Sequence, residues 1–274
     1  MFLAVFAGLS SNVYNILSRI ILRQDSDPIS YAWLYEISRI VIFLFVLPFT
    51  FYFNLSLINI LLLLLLGLVE FISVYVFMKM HAYVEISISS VIAKLRLVWT
   101  PILAFFFLRE ALSNFEYLGI VVIFLGLTIT VSPKKLILDK GMKYALLSSM
   151  VVPVISVLLK KTSDFSSTPV QMIFMGMPSV LLFGTVSSNW KERVTKVFKK
   201  SYKKIFIATI FNCSAMYFLV WAFKEGSVGK VATIYQSMTL VSVMVGINFL
   251  KEKEDIWKKV IGSVVTIAGV LLLI

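Results

Sequence analysis

The sequence predicts an all-α integral membrane protein with ten transmembrane helices, arranged as two inverted five-helix repeats. Three observations predict this fold class: long apolar stretches almost without charge, short polar connections between them, and charged motifs that recur in both halves. Of the 274 residues, 59% are hydrophobic and 15% are charged. Soluble domains carry about 25% charged residues, so we expect this chain to lie in a lipid bilayer.

Apolar stretches of about 20 residues, the length that an α-helix needs to cross the hydrocarbon core, recur along the chain. Backbone polar groups in lipid must be satisfied within the chain, so we expect each stretch to be a helix. A transmembrane β-barrel would show alternating polarity, and the continuous apolar run at residues 61–66 argues against it. The predicted spans are residues 2–22, 29–49, 58–78, 85–107, 115–132, 143–160, 169–187, 205–223, 229–250 and 257–274.

An internal repeat relates residues 1–133 to residues 141–274. Residues 107–110, Phe-Leu-Arg-Glu, correspond to residues 249–252, Phe-Leu-Lys-Glu, and each tetrapeptide ends a long apolar span. Each half holds five spans, an odd number, so the second half must enter the membrane from the opposite side. Inverted repeats are a recurrent plan of secondary transporters, whose substrate site lies between the repeats.

Four glycines extend the repeat into the last span of each half. Gly119 and Gly126 correspond to Gly262 and Gly269, with the same seven-residue spacing. Small residues two turns apart on one helix face allow close helix packing in a membrane. We expect them to pack either the two halves of one chain or two protomers of a homodimer.

The formal net charge of +12 does not indicate a nucleic-acid partner, because Lys and Arg lie mostly in the connections between spans. The positive-inside rule and attraction to anionic membrane lipid explain such a distribution. The connections after the odd-numbered spans are the more basic ones, which favours both termini outside the cytoplasm. We expect a multi-pass protein of the plasma membrane.

The sequence shows no glycine-rich phosphate loop, metal-ligand cluster or nucleophile triad, so we expect no cofactor, no metal and no enzymatic activity. It has one histidine, which makes a membrane-embedded enzyme acting on lipid a weak alternative. A non-transporting or lipid-flipping membrane assembly subunit remains an alternative, because a fold does not determine function.

Several motifs occur in a characteristic order. Leu-Arg-Glu and Leu-Lys-Glu end spans four and nine, the stretch 223–229 enters span nine, residues 8–12 lie in span one, and Arg39 lies in span two. With ten spans, this order resembles the EamA branch of the drug/metabolite transporter superfamily over nearly the whole chain. The resemblance implies a secondary transporter of small metabolites, with a central cavity between the halves and both termini inside. Small multidrug relatives exchange protons on a first-helix carboxylate, whereas no acidic residue here precedes Asp25.

Ionisable residues inside spans are costly in a bilayer and usually functional. The shift of the repeat carries Glu70 to Asn212 and Lys94 to Gln236, so two positions are polar in both halves. We expect these four side chains to line the substrate site. The alternative is that Glu70 and Lys94 pair to hold spans three and four together.

Aromatic and amide side chains on these spans and on span one extend this prediction. The further cavity candidates are Asn12, Asn15, Tyr75, Trp99, Tyr217, Trp221 and Tyr235. A basic residue near the cavity favours an anionic or zwitterionic substrate, such as an amino-acid-like compound. Structural or gating candidates are Glu36 and Arg39, which lie one turn apart, together with Arg96, Pro101, Pro153 and Pro178.

Overall fold

The computed structural model describes residues 1–22, 27–83, 95–131, 140–186, 189–238 and 256–273. These residues form ten helices, and one isolated β-bridge joins Phe53 to Ser166. The helices are α1 (Phe2–Leu22), α2 (Pro28–Thr50), α3 (Leu57–Tyr83), α4 (Arg96–Leu108), α5 (Asn114–Val131), α6 (Lys140–Ser163), α7 (Thr168–Val186), α8 (Trp190–Glu225), α9 (Val228–Ser237) and α10 (Ile256–Leu273).

Four of the described helices are long and apolar enough to cross a membrane by length and composition. They contain Pro28–Thr50, Leu57–Val76, Leu146–Ser163 and Trp190–Glu225. Five further helices are apolar but shorter: Phe2–Ser18, Arg96–Leu108, Asn114–Ile129, Thr168–Phe183 and Val260–Leu272. The described part of the chain is therefore an all-helical membrane protein.

Local capping residues explain where two of the helices begin. Asp27 precedes α2 and its carboxylate accepts the backbone N–H of Ile29 at 3.3 Å. Ser113 and Glu116 form a capping box at the start of α5, because the N–H of Ser113 donates to Glu116 at 2.8 Å and the N–H of Glu116 donates to Ser113 at 3.3 Å. Each helix thus begins where the sequence supplies an acceptor for its first N–H groups.

Helix α8 differs from the prediction, which placed a polar connection at residues 188–204 and a span only from 205. The helix begins at Trp190, so the basic segment is helical as well. Hydropathy reports depth in the membrane and not helicity, and this segment contains no Gly or Pro that would break a helix. At about 1.5 Å per residue, a helix of 36 residues is about 54 Å long, which exceeds the roughly 30 Å hydrocarbon core.

The pattern of contacts between helices is nearly unchanged when the first five helices are exchanged for the last five. The most extensive contacts join α5 to α10, α1 to α8, α3 to α6 and α2 to α7. If α1–α5 are exchanged for α6–α10 in order, the α1–α8 contact becomes the α6–α3 contact, while α2–α7 and α5–α10 map onto themselves. The contacts of α3 with α7 and of α4 with α6 likewise have counterparts in those of α8 with α2 and of α9 with α1.

The four spaced glycines lie between α5 and α10 of the same chain. An added Cβ at Gly126 would lie 2.7 Å from the carbonyl oxygen of Gly262, and one at Gly269 would lie 2.9 Å from that of Gly119. The structure agrees with the first of the two expectations for these glycines, because they pack the two halves of one chain together. They are therefore already covered within the chain, and a homodimer through these four positions stays an untested prediction.

Candidate functional site

A cavity of about 200 Å³ lies between the two halves of the chain. Helices α3 and α4 of the first half and α6, α7, α8 and α9 of the second half contribute to its wall. Most of the lining is apolar, including Leu97, Ile155, Met175 and Phe223. The polar lining residues are Glu70, Ser73, Arg96, Thr100, Ser156, Tyr235 and Gln236. A mainly apolar pocket with a few convergent polar groups is the usual form of a small-molecule site.

Arg96 brings a positive charge into this cavity. It lies at the first position of α4, and its guanidinium donates a hydrogen bond to Oε1 of Gln236 on α9. Thr100, one turn further along α4, donates its hydroxyl to the backbone carbonyl of Arg96 at 2.6 Å. Among the described residues, no carboxylate forms an ion pair with Arg96. The charge is thus oriented by an amide that does not neutralise it.

Helix α1 approaches the cavity through contacts with α9. The hydroxyl groups of Tyr235 and Ser11 are hydrogen-bonded at 2.7 Å, and the amide of Asn12 donates to the carbonyl oxygen of Met238. An added Cβ at Gly8 would lie 2.7 Å from the carbonyl oxygen of Tyr235, so glycine permits this close approach. These contacts fix Tyr235 on the cavity wall.

An ion cluster of Glu36, Arg39 and Glu70 adjoins the cavity. Arg39 contacts Oε2 of Glu36 on the same helix, and its Nη1 lies 3.4 Å from Oε1 of Glu70 on α3. Glu36 and Arg39 are fully buried, whereas Glu70 is 15% exposed and lines the cavity. Glu36 and Arg39, two of the structural or gating candidates, therefore form an ion pair within α2, and Arg39 shares its charge with Glu70 as well.

Neutral side chains of α2 and α8 surround this ion cluster. The hydroxyl of Tyr35 donates to Oδ1 of Asn212 at 2.5 Å, and the guanidinium of Arg39 lies 5.5 Å from the centre of the Tyr35 ring. Asn212, the repeat counterpart of Glu70, is buried and is engaged with Tyr35. It therefore holds the Tyr35 ring that lies against Arg39, and it does not line the cavity.

The structure brings some of the predicted site residues to the cavity wall and leaves others elsewhere. Glu70, Tyr235 and Gln236 line the cavity, and so does Arg96, which we predicted only as a structural or gating residue. Those that are described but do not line it are Asn12 and Asn212, which are buried, Tyr75, Trp99 and Tyr217, which are half-buried, and Asn15 and Trp221, which are exposed. Lys94 lies outside the described residues.

The three predicted prolines lie inside helices. Pro101 in α4 packs against α9, because an added Cβ at Gly229 would lie 3.1 Å from its Cβ. Pro178 in α7 packs against Gly67 of α3 in the same way, at 2.9 Å from its Cγ. Pro153 lies in α6 and is buried. Pro101 and Pro178 therefore mark close contacts between helices of different halves.

Sequence reasoning missed three small polar residues of the cavity wall. Ser73 lies one turn after Glu70, and Thr100 lies one turn after Arg96. Ser156 lies on α6 and was noticeable only through its place in the repeat. Helical spacing from a charged residue was thus the available signal for Ser73 and Thr100.

A polar network joins several helix ends beside the cavity. Lys160 at the end of α6 donates to the carbonyl oxygen of Phe223 and to that of Gly226 at 2.9 Å, and its Nζ lies 3.8 Å from Oε1 of Glu110. Oε2 of Glu110 accepts the N–H of Val228, the first residue of α9, at 2.7 Å. We call these contacts the closing network. It joins the ends of α4, α6, α8 and α9 beside the cavity-lining Phe223.

The first turns of α8 form a strongly basic surface. Val197, Ser201 and Ile205 recur every four residues and are buried against the rest of the protein, and Arg193 is 2.6 Å from Asp27. Phe198 and Tyr202 are half exposed, with ring centres 5.6 Å apart. The basic face consists of Lys191, Arg193, Lys196, Lys199, Lys200, Lys203 and Lys204. Lysines alternating with exposed aromatic rings are typical of a membrane interface.

Comparisons with known proteins agree with this architecture. The model of the EamA-like transporter family matches residues 1–132 and again residues 140–274. No curated protein matches the sequence. One crystal structure of another protein is 12% identical with a TM-score of 0.72, covering 99% of this chain and 95% of that one, so it bears on the fold alone. Because the family model matches nearly the whole chain in two copies, the chain belongs to the EamA-like transporter family.

Proposed function

We propose that this protein is a secondary transporter that moves a small polar or zwitterionic metabolite, such as an amino-acid-like compound, through the cavity between its halves. The observation that carries this proposal is the pair of opposite charges on the cavity wall. Arg96 offers a guanidinium to an anionic group, and Glu70 offers a carboxylate to a cationic group. The remaining wall is mostly apolar, which suits a compound with a compact apolar portion.

Alternating access is supported by the exchange symmetry of the helix contacts. In an inverted repeat, two similar halves can exchange conformations, so one central site opens to either face. The paired contacts of α1 with α8 and of α3 with α6 fit this scheme. The ten-span inverted topology, the plasma-membrane location and the orientation of the termini belong to this proposal.

Membrane lipid is the second partner that we propose. The basic face of α8 and its half-exposed Phe198 and Tyr202 suit the anionic headgroup layer on that side of the bilayer. Each basic residue near an anionic surface contributes about 1 kcal/mol of attraction. Replacing Lys196, Lys199 and Lys203 by Gln should lower the extra stability that nanodiscs containing phosphatidylglycerol give over neutral nanodiscs, whereas replacing the exposed Arg109, Lys161 and Lys224 by Gln should not. Equal loss in both triple variants would refute a role for this face.

A ligand screen tests the transport proposal at its first step. The protein in detergent would be heated with single compounds from three sets: zwitterionic amino acids, monocarboxylates and primary amines. A ligand at 100 times its Kd stabilises the native state by about 2.7 kcal/mol, which a melting curve detects. We expect stabilisation by members of the zwitterionic set. Stabilisation by amines alone would contradict the role given to Arg96, and lipid scrambling without any solute binding would favour the lipid-flipping alternative.

A further inference from the structure

We propose that residues 190–204, the basic first turns of α8, are a lipid-sensing segment. An anionic bilayer surface binds this segment and favours the conformation of the present structure, in which the segment lies against α1 and α2. This inference rests on the proposed lipid partner. It goes beyond that partner because it gives the charge of the bilayer control over the relative position of the two halves.

The exposed face of α8 changes character at Lys204, which locates the segment relative to the bilayer. Up to Lys204 the exposed side chains are mainly basic, whereas the next exposed ones are apolar. The stretch from Ile205 to Glu225, 21 residues of the helix, is about 32 Å long and matches the roughly 30 Å hydrocarbon core. The segment therefore begins where the headgroup layer begins. The apolar side chains beyond it are Phe206, Ile207, Ile210 and Phe211, between 37% and 50% exposed.

The charge of the segment suits an anionic surface. It carries seven Lys or Arg residues and one acidic residue, Glu192. A soluble acidic protein would also be attracted by this charge. Anionic lipid is the better partner because Lys203 and Lys204 directly precede the lipid-facing stretch, so headgroups lie beside them without any further association.

The segment has three faces around its axis, which turns by about 100° per residue. Val197, Ser201 and Ile205 form the buried face, and Phe198 and Tyr202 form a half-exposed aromatic face next to it. Aromatic rings beside lysines are typical of helices that lie in a membrane interface, with rings among acyl chains and ammonium groups among headgroups. The basic face on the remaining side consists of Lys196, Lys199, Lys200, Lys203 and Lys204.

Helix α8 is inclined to α2 along this segment. Arg193 lies 2.6 Å from Asp27, and Asn212 accepts a hydrogen bond from Tyr35 at 2.5 Å. Between these two contacts α8 advances by about 28 Å and α2 by only about 12 Å. Parallel helices would advance equally, so α8 crosses α2 obliquely. An inclined segment can lay several turns along a bilayer surface, whereas an upright one would present a single turn.

The segment belongs to the second half but is held by the first half. Val197 and Ile205 share a buried apolar cluster with Ile21 of α1, and Arg193 pairs with Asp27 at the start of α2. These contacts cross between the halves. A surface that attracts the basic face therefore acts on the interface between the halves and not on a loosely attached extension.

The same helix continues to the cavity. Met216, Leu219 and Phe223 of α8 line the cavity wall, and the carbonyl groups of Phe223 and Gly226 accept hydrogen bonds from Lys160 in the closing network. No Gly or Pro interrupts α8, and sharp kinks in helices usually occur at such residues. A displacement of the segment is therefore carried along the helix to the cavity wall.

A ligand shifts a conformational equilibrium only when its affinity differs between the two states. In an inverted repeat that alternates, the contact of α1 with α8 takes the geometry that α6 and α3 now have. Helix α8 then changes its inclination to α1 and α2, and its basic face changes its angle to the bilayer. Anionic lipid therefore favours the conformation in which this face lies along the surface.

Double electron–electron resonance in nanodiscs tests this control without any substrate. Spin labels at Asn114→Cys and Glu225→Cys, two exposed positions beside the closing network, report the separation of the halves in a Cys213→Ala background. We expect two populations of distances. The shorter one should gain several-fold over the longer one when phosphatidylglycerol replaces phosphatidylcholine, and high salt should cancel this gain because it screens exposed charges.

A pair of triple variants identifies the face that responds. Replacing Lys196, Lys199 and Lys203 by Gln should abolish the response to phosphatidylglycerol. Replacing the same three residues by Arg keeps their charge and should preserve the response. The labelled protein without these substitutions already tests the proposal, so its outcome does not depend on whether either variant folds.

Three results would overturn the proposal while leaving transport intact. One is a distance distribution that does not depend on lipid charge, and another is a Gln variant that responds as strongly as the Arg variant. The third is the same shift produced in phosphatidylcholine nanodiscs by inorganic phosphate or heparin, which would assign the face to a soluble anion. A response to lipid charge in a protein that transports nothing would instead refute the proposed function.

Discussion

Arg96 in the first turn of α4 donates a hydrogen bond to Gln236 near the end of α9, so a charged residue of one half is oriented by an amide of the other half. Both residues line the cavity. A change in the relative position of the halves would therefore alter the direction of the guanidinium. This contact links the cavity wall to the interface between the halves, which the proposed alternating access would rearrange.

Removing the charge of Arg96 should weaken substrate binding. Arg96→Gln keeps a hydrogen-bond donor near Gln236 but cannot form a charge-assisted bond to an anionic group, which contributes about 1.5–3 kcal/mol. We expect the Kd of a zwitterion, from melting curves at increasing ligand concentration, to rise about 10-fold or more. Lys224→Gln removes a positive charge from an exposed site at the end of α8 and should leave the Kd unchanged. An unchanged Kd in Arg96→Gln would exclude this arginine from the site.

Breaking the closing network should open the cavity on that side. Lys160→Met removes the donor to the carbonyl groups of Phe223 and Gly226 while keeping the apolar length of the side chain. In a Cys213→Ala background, a cysteine at Ser156 on the cavity wall should then react several-fold faster with a water-soluble maleimide. The neighbouring Lys161→Met is the matched control, because Lys161 is 57% exposed and its ion-pair partner among the described residues is Asp164, at 3.9 Å. Equal labelling rates in the two variants would show that Lys160 does not hold this side closed.

Enlarging Gly126 should destabilise the packing of α5 on α10. An added Cβ would lie 2.5 Å from Oγ1 of Thr266 and 2.7 Å from the backbone oxygen of Gly262, so the helices must separate. Overpacking of this kind costs about 1–3 kcal/mol, and we expect a lower melting temperature for Gly126→Ala. Gly226→Ala is the control, since its nearest neighbour is a side-chain methyl of Val231 at 3.0 Å, the nearest backbone atom is 3.5 Å away, and its φ of −141° suits any residue. A Gly126→Ala protein as stable as wild type would contradict the close crossing.

The pairing of Asp27 with Arg193 should make stability depend on pH. Burial opposes the charge of Asp27, but the hydrogen bond and charge of Arg193 and the hydroxyl of Ser30 outweigh it and hold the pKa of this carboxyl below its usual value. A lowered pKa stabilises the native state above the unfolded value of about 3.9, and this stabilisation is lost as pH falls through the native pKa.

Asp27→Asn tests that dependence, because asparagine can still cap α2 but carries no charge. Since Arg193 is 38% exposed, solvent screens the pair, and we expect a loss of at most about 1 kcal/mol at pH 7. The difference from wild type in thermal unfolding should shrink below about pH 4. A difference that is the same at pH 3 and pH 7 would show that the charge of Asp27 is not responsible.

The sequence alone predicts most of the helices, because apolar length and polar breakers mark where a chain crosses lipid. The predicted bounds of α1 agree with the described helix, α2 differs by one residue at each end, and α5 and α7 begin one residue earlier than predicted. Helix α8 is the exception: its basic first half is helical but too polar to be recognised by hydropathy. Its buried positions Val197, Ser201 and Ile205 show the four-residue spacing that could have revealed it.

The site was predictable only in part, because the repeat identifies equivalent positions but not the direction of each side chain. Glu70 and Gln236, two of the residues predicted from the repeat, lie on the cavity wall, whereas Asn212 turns to Tyr35 and Trp221 is 46% exposed on α8. The contact of Arg96 with Gln236 could not be anticipated, because it depends on how α4 and α9 meet across the halves. Such contacts arise from tertiary packing and leave no periodic signal.

Counterflow in proteoliposomes tests the central claim most directly. Vesicles loaded with an unlabelled zwitterion that stabilises the protein would be diluted into the same compound carrying a radiolabel. We predict transient accumulation of label with wild type and Lys224→Gln, and accumulation at the level of protein-free vesicles with Arg96→Gln and Glu70→Gln. Accumulation that is equal in all four proteins, or no greater with wild type than without protein, would contradict transport through this cavity.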